Sequence, residues 1–396
     1  MKTKQAKRWL AAGLCLLAWA AAAPAADLIA FWDQPRHGGN SFNRLPPDQA
    51  YFDALKGYGA SWVRLTYDKW RPARRDFLIG DADDYRGLEP RDLAVLKQAL
   101  DRAQQAGLKV VITPLSLPYK RWAQNNGNRF DDRLWQDRAH WDAAASFWRD
   151  LAAELKDHPA VAAYNLVNEP APEKMGGLAE HAAPETMAAW YRQQQGGARD
   201  LPAFYRQLIA AIRQVDAKTP LMVDGGWYAA ADGFSYWPAK LEDERTLYSF
   251  HMYEPYEVTS QPNVKRKPPY VYPGTAPFAG KMERWDAKRV AAYLRQPVVW
   301  AKSVGIPANR LVAGEFGCVR TINDCRAYLD DVLTALDGDR LHWAFYSFRE
   351  DTWDAMDYEL GKGKVSPKYW EAVERGLPDP VKREAAPEFE PIRKRL

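Results

Sequence analysis

Eight times along the chain, a short run of apolar and mostly β-branched residues is followed by a longer segment with helical spacing. This alternation limits the possible folds more than any other feature of the sequence. The runs are 28–32, 61–67, 108–114, 161–167, 220–224, 246–253, 310–316 and 342–348. The main helical patterns are 47–55, 90–106, 141–156, 201–215, 288–303, 325–336 and 367–373. Strands that are apolar on both faces need cover on both sides, which a parallel sheet wrapped by helices supplies. Helix stops such as Gly107 separate the units. Eight units predict an α/β fold, a (β/α)8 TIM barrel. A doubly wound open sheet is the alternative, but no Gly-x-Gly-x-x-Gly loop follows the first run and no Gly-x-Ser-x-Gly elbow is present. No linker composition interrupts residues 26–396. They read as one domain with long βα loops, among them a Pro- and Tyr-rich loop of about 30 residues after Tyr253, and a Pro-rich tail after Gly376.

The first 25 residues have a different character. Lys2, Lys4, Lys7 and Arg8 precede an apolar run over 9–23 and an Ala23-Pro24-Ala25 site, the pattern of a cleaved secretory signal. The run is short for a bilayer core of ~30 Å, so the expectation is a secreted or periplasmic protein with no integral membrane segment in the mature chain. Removing those four cations from the 55 Lys and Arg leaves 51, equal to the 51 Asp and Glu. A neutral mature chain argues against nucleic acid as a partner. Cys318 and Cys325 then remain, seven residues apart. In an oxidising compartment they predict a local disulfide contributing ~2 kcal/mol. No His-Glu-x-x-His or calcium-loop pattern occurs, so neither a metal nor a cofactor is expected, and Asp81, Asp83 and Asp84 read as a solvated turn.

Barrel chemistry sits where strands end. Two expected strand ends carry a carboxylate in a polar setting: Glu169, after Asn168 and before Pro170, and Glu315, between Gly314 and Phe316. Two carboxylates converging over one barrel mouth are what glycoside hydrolysis needs, one to protonate the leaving oxygen and one to attack the sugar carbon or activate water. The residues alone do not say which does which, because that depends on local pKa values. Arg64 ends an apolar run, and a guanidinium can clamp a carboxylate and keep it ionised. His251 and Tyr253 share a strand face by period-two spacing.

Val63-Arg64-Leu65, Asn168-Glu169-Pro170, His251-Met252-Tyr253 and Gly314-Glu315-Phe316-Gly317, in that order, resemble the signature of glycoside hydrolase family 5. This is the cellulase-like family of retaining (β/α)8 hydrolases. The resemblance implies that Glu169 is the general acid/base and Glu315 the nucleophile. It places Asn168 at the sugar 2-hydroxyl, Arg64 beneath the nucleophile, and His251 and Tyr253 near the sugar, with Tyr253 donating to Glu315. Two departures stand out. The stretch 113–117 lacks the His that many members carry, and the usual Trp platform after the last strand is best matched by Tyr346, with Trp343 one register choice away.

The chain is rich in aromatics, with 17 Trp, 20 Tyr and 14 Phe. Trp70, Trp122, Trp135, Trp227, Tyr228, Trp237 and Tyr256 fall in expected loops or short helices. Most such rings are core or anchors, and a minority stack on sugars. Trp227 and Trp353 lead as sugar contacts because each lies just past a strand end. The expected function is a secreted, monomeric, retaining β-glycosidase that acts inside a β-linked oligo- or polysaccharide, modally a β-1,4-glucan. A mannanase, exo-β-glucanase, exopolysaccharide hydrolase or transglycosylase on the same site is the near alternative. A noncatalytic glycan-binding barrel is the alternative from another class.

Overall fold

The computed structural model of the protein describes residues 27–375, 377, 381, 383 and 386–396. The expected leader, 1–25, lies outside them. Ten strands follow in chain order: β1 (His37–Ser41), β2 (Trp62–Thr66), β3 (Lys109–Thr113), β4 (Val161–Asn165), β5 (Leu221–Asp224), β6 (Thr246–Met252), β7 (Gly274–Phe278), β8 (Lys281–Trp285), β9 (Leu311–Phe316) and β10 (His342–Phe345). All but β7 and β8 pair in parallel and close a barrel in the order β1-β10-β9-β6-β5-β4-β3-β2. Alternation along each strand divides the core. Val63, Leu65, Val110 and Ile112 pack with helix residues such as Leu96 and Leu100, while Trp62, Val111, Met222, Leu247 and Val312 fill the barrel.

The first expected strand is corrected. Residues Leu28–Asp33 form a 3-10 helix begun by Asp27, whose side chain accepts from the Ile29 amide. Its apolar run plugs the barrel floor. Trp32 is fully buried, its indole N–H donates to the Ala162 carbonyl at 3.2 Å, and its ring meets Trp62 edge-on at 5.3 Å. Truncating such a ring to Ala costs ~3–5 kcal/mol. The true first strand, His-Gly-Gly-Asn-Ser, has little intrinsic strand preference and is held by pairing to β2 and β10. The long loop after β6 is corrected as well, since it contains the antiparallel β7–β8 hairpin.

The expected disulfide is not formed. Cys318 and Cys325 are both buried, free thiols beneath the loop after β9. Burial pushes the Cys325 thiol well above its ordinary pKa, as does its hydrogen bond with Cys318. The acidic turn is not merely solvated: Asp81 and Asp83 pair with Arg75 and Arg121, and Asp83 also with Arg133. After the Pro-rich tail the chain returns to the barrel, where Phe389 packs against Tyr58 and Phe345. No helix among the described residues is long and apolar enough to cross a membrane.

Candidate active site

Strand ends bring six of the expected residues to one point. Arg64 is the inward third residue of β2 and is wholly buried. Its guanidinium donates to Glu315 Oε1 at 2.5 Å, to Asn168 Oδ1 at 2.7 Å, and to Asn165 Oδ1 at 2.7 and 3.0 Å. Asn40 and Asp224 complete the fork at 3.2 and 3.5 Å. Glu315 is the penultimate residue of β9 and also accepts from the Tyr253 hydroxyl at 2.7 Å. Burial alone would raise its carboxyl pKa. The charges of His251 and Arg64, with hydrogen bonds from Tyr253 and Arg64, outweigh burial and hold it below the usual carboxylate value.

A local irregularity sets the geometry. Between β6 and β9 the register shifts, so that Phe250 faces Ala313 but His251 faces Glu315, and Gly314 is the extra residue. Bulges re-aim side chains near active sites. Only glycine fits at 314, since a Cβ there would lie 2.4 Å from Ser249 Oγ and 3.3 Å from His251 Nε2. The bulge sets His251 beside both acids: Nδ1 lies 2.8 Å from Glu169 Oε1 and 3.8 Å from Glu315 Oε2. Burial opposes a charge on His251, but Glu315, Glu169 and Asp224 raise its pKa on balance.

Glu169 lies four residues beyond Asn165, the last of β4, in a left-handed backbone conformation with φ of 47°. Such conformations in non-glycine residues cluster at functional sites. Its amide donates to Asp224 Oδ2 at 3.0 Å. Burial pushes its carboxyl up. The hydrogen bond from His251 works the other way, the charge of Glu315 adds to the rise, and the net shift is upward. The two acids are therefore driven apart, the pattern that separates an acid from a nucleophile. One oxygen of Glu169 and one of Glu315 lie within 4.8 Å of each other and of a His251 nitrogen. That trio could reach a cation, but Arg64 and His251 already supply the countercharge.

The carboxylates lie in a cleft of about 1060 Å³. Asn168, Tyr253, Trp227, Tyr346 and Trp353 line it with them. Trp343 instead belongs to the barrel wall, fully buried and stacked on His37 at 4.2 Å. Tyr346 is anchored from behind by its hydroxyl, which donates to buried Glu350 at 2.8 Å. Glu350 pairs in turn with Lys69 at 2.7 Å, and the Lys69 ammonium lies 3.8 Å above the Phe42 ring. Of the other loop aromatics, Trp122, Tyr228 and Tyr256 line the cleft, whereas Trp70, Trp135 and Trp237 are core. Cys318 and Cys325 do not line it.

A second acid–imidazole group lies in the cleft wall. His181 is held between Asp232 and Glu254; burial opposes its charge, but these partners raise it to about 10. Sequence reasoning missed Asn40, Asn165 and Asp224, which hold Arg64 and Glu169 in place. The period-two spacing of β4 could have marked Asn165 as inward-facing. Asp224, last in β5 before two glycines, sat at a strand end like the two acids.

Comparison with known proteins gives the family and the fold. The family model described as cellulase (glycosyl hydrolase family 5) matches residues 31–352. A β-xylosidase of Phanerodontia chrysosporium is 24% identical over 371 residues, 87% of this chain and 69% of that protein. An endoglycoceramidase of Cyanea nozakii is 33% identical over 116 residues, 29% of this chain and 21% of that one. A hyperthermophilic endo-β-1,4-glucanase solved with its substrate shares the fold with a TM-score of 0.60 at 17% identity, over 88% of this chain and 99% of that one. A Thermotoga maritima structure in complex with mannotriose gives 0.59 at 16% identity, over 88% and 99%. A strand-end acid pair in a closed eight-stranded barrel, together with a family match across most of the chain, makes this protein a glycosidase of glycosyl hydrolase family 5.

Proposed function

We propose that the protein is an exported, retaining β-glycosidase that cleaves within a β-linked polysaccharide, in the first instance a β-1,4-glucan. The observation that carries retention is the close approach of Glu169 and Glu315. Retaining pairs stand ~5–5.5 Å apart and inverting pairs ~6.5–9.5 Å, and the approach of one oxygen of each acid to within 4.8 Å favours the first class. Glu315, held ionised by Arg64, His251 and Tyr253, attacks the anomeric carbon. Glu169, its carboxyl pKa raised, gives its proton to the leaving oxygen. The glycosyl–Glu315 ester then breaks as Glu169 takes a proton from water, which adds to the anomeric carbon and frees Glu315.

Internal attack draws on the size of the cleft, about 1060 Å³, and on the aromatic rings in its lining besides the sugar platform, among them Phe42, Trp122, Tyr228, Tyr256 and Phe278. The glucan reading draws on the endo-β-1,4-glucanase fold relative, and the mannotriose complex makes mannan the nearest competitor. Export draws on the leader pattern of residues 1–25. Product release from carboxymethylcellulose, mannan, xylan and β-1,3-glucan, beside the Glu315→Gln variant, tests the reading. Short oligosaccharides from carboxymethylcellulose, absent with the variant, are expected. Release from mannan alone would reassign the substrate, and binding without release by the intact protein would remove the enzymatic reading.

A further inference from the structure

Directly after β5 the chain makes a turn that side-chain-bearing residues rarely adopt. Trp227, Tyr228 and Ala229 have φ of 50°, 57° and 62° in succession. One such residue is uncommon, and three in a row persist only where the surroundings over-determine them. Here the surroundings are the short helix Pro172–Met175, which begins three residues after Glu169. Glu173 is wholly buried under the turn. Its Oε2 accepts from the Trp227 amide at 3.1 Å, and its Oε1 accepts from the Tyr191 hydroxyl. The turn is built around this carboxylate, because a Cβ at Gly226 would fall 1.9 Å from Glu173 Oε1. The next residue, Lys174, reaches the Tyr228 hydroxyl at 2.8 Å. The Tyr228 amide donates to the carbonyl of Pro170, the residue after Glu169, at 3.1 Å.

Glu173 has no basic partner among the described residues, and burial pushes its carboxyl up to about 7 despite the bonds from Tyr191 and Trp227. An uncompensated buried acid is costly to keep. Its partner Trp227 lines the cleft, is 5% exposed, and has an indole N–H with no acceptor among the described residues. A buried donor left unpaired at a cleft wall suits a hydroxyl brought by a ligand. The turn adjoins Glu169, the group that protonates the departing oxygen, whereas Tyr346 directly follows β10 and donates its amide to the carbonyl of Phe316, the residue after the nucleophile.

We propose that Glu173 is a positioning residue for the leaving group: it fixes the Trp227 backbone so that the indole ring and its free N–H meet the sugar that departs on the Glu169 side. This rests on the assignment of Glu169 as the proton donor. It concerns recognition of a sugar leaving group and not the bond-breaking step, so its signature is selectivity between leaving groups.

The test compares cellotetraose, whose leaving group is a sugar, with 4-nitrophenyl β-cellobioside, whose leaving group is not. Glu173→Leu removes both acceptors. It should lower kcat/KM on cellotetraose at least tenfold, mainly through KM, and leave the aryl substrate within threefold. Glu173→Gln keeps an acceptor oxygen for Trp227 and can accept or donate at Tyr191, so it should stay within threefold on both. If Glu173→Leu does not fold, Tyr191→Phe, which removes one bond to the carboxylate, should show the same selectivity at smaller size. Equal losses on both substrates, or none on either, overturn the proposal. Trp227→Ala separates the two ideas. If it is selective against cellotetraose while the Glu173 and Tyr191 variants are not, only the role of Glu173 fails. If Trp227→Ala is unselective too, the placement of the leaving group beside Glu169 fails with it.

Discussion

Arg64→Met isolates the electrostatic argument. In the structure the guanidinium is wholly buried and serves Glu315, Asn168, Asn165, Asn40 and Asp224 at once. Methionine preserves most of the volume and removes the charge. Unit charges ~4 Å apart interact by about 4 kcal/mol at an effective dielectric of ~20. Breaking a buried pair by removing one partner costs ~3–5 kcal/mol. His251 and Tyr253 still support Glu315, so the lower figure applies, and ~3 kcal/mol corresponds to about two pKa units. The sign is fixed by the active form. Glu315 must be ionised to attack, its pKa is now held below the ordinary value, and losing Arg64 raises it. The acidic limb of kcat/KM against pH should therefore move up by about two units. At the optimum, kcat/KM should fall on the order of a hundredfold or more. Arg64→Lys restores a point charge without the fork, so most of the limb shift should be recovered while Asn165 and Asn168 stay unsupported and kcat/KM remains at least roughly tenfold low. The assay is a pH–rate profile on an aryl β-glycoside, with thermal melts confirming the fold. An unmoved acidic limb with kcat/KM within threefold of the parent would refute the reasoning.

Two further outcomes follow from the acid pair. Glu169→Ala should lose ~10²- to 10⁴-fold on oligosaccharides and much less on an aryl glycoside with an activated leaving group, and azide should yield a β-glycosyl azide; equal losses with no adduct contradict its role. The parent pH profile should be bell-shaped, with its acidic limb below the ordinary Glu value because Glu315 is lowered and its alkaline limb above it because Glu169 is raised; a Glu169→Gln variant that keeps the alkaline limb and loses the acidic one on an activated aryl glycoside would contradict the assignment.

What was legible in the sequence follows from how each feature is encoded. Strands such as β2, β3 and β9 are dense apolar runs with a polar residue at the end, so both the barrel and the acids were readable. β1 was not, because His37-Gly38-Gly39 has no apolar signature and its place was taken in the reading by a better-looking run that serves as the barrel floor. The β7–β8 hairpin was hidden by the prolines and charges of its exposed setting. Asp224 and Asn165 act through Arg64 and Glu169, and Glu173 through Trp227. Such roles are set by contacts between residues far apart in sequence and carry no local pattern. The expected disulfide rested on spacing and compartment, whereas in the structure Cys318 and Cys325 are free, buried thiols.

The central claim is that Glu315 forms a covalent bond to the sugar. A 2-deoxy-2-fluoro β-glycoside with a good leaving group slows release of that intermediate, so one residue becomes labelled, and peptide mapping locates it. The label should lie on Glu315, in the peptide containing Gly314-Glu315-Phe316-Gly317, and should be absent from the Glu315→Gln variant. A label on another carboxylate, or turnover of the fluoroglycoside with no label at all, would contradict the account.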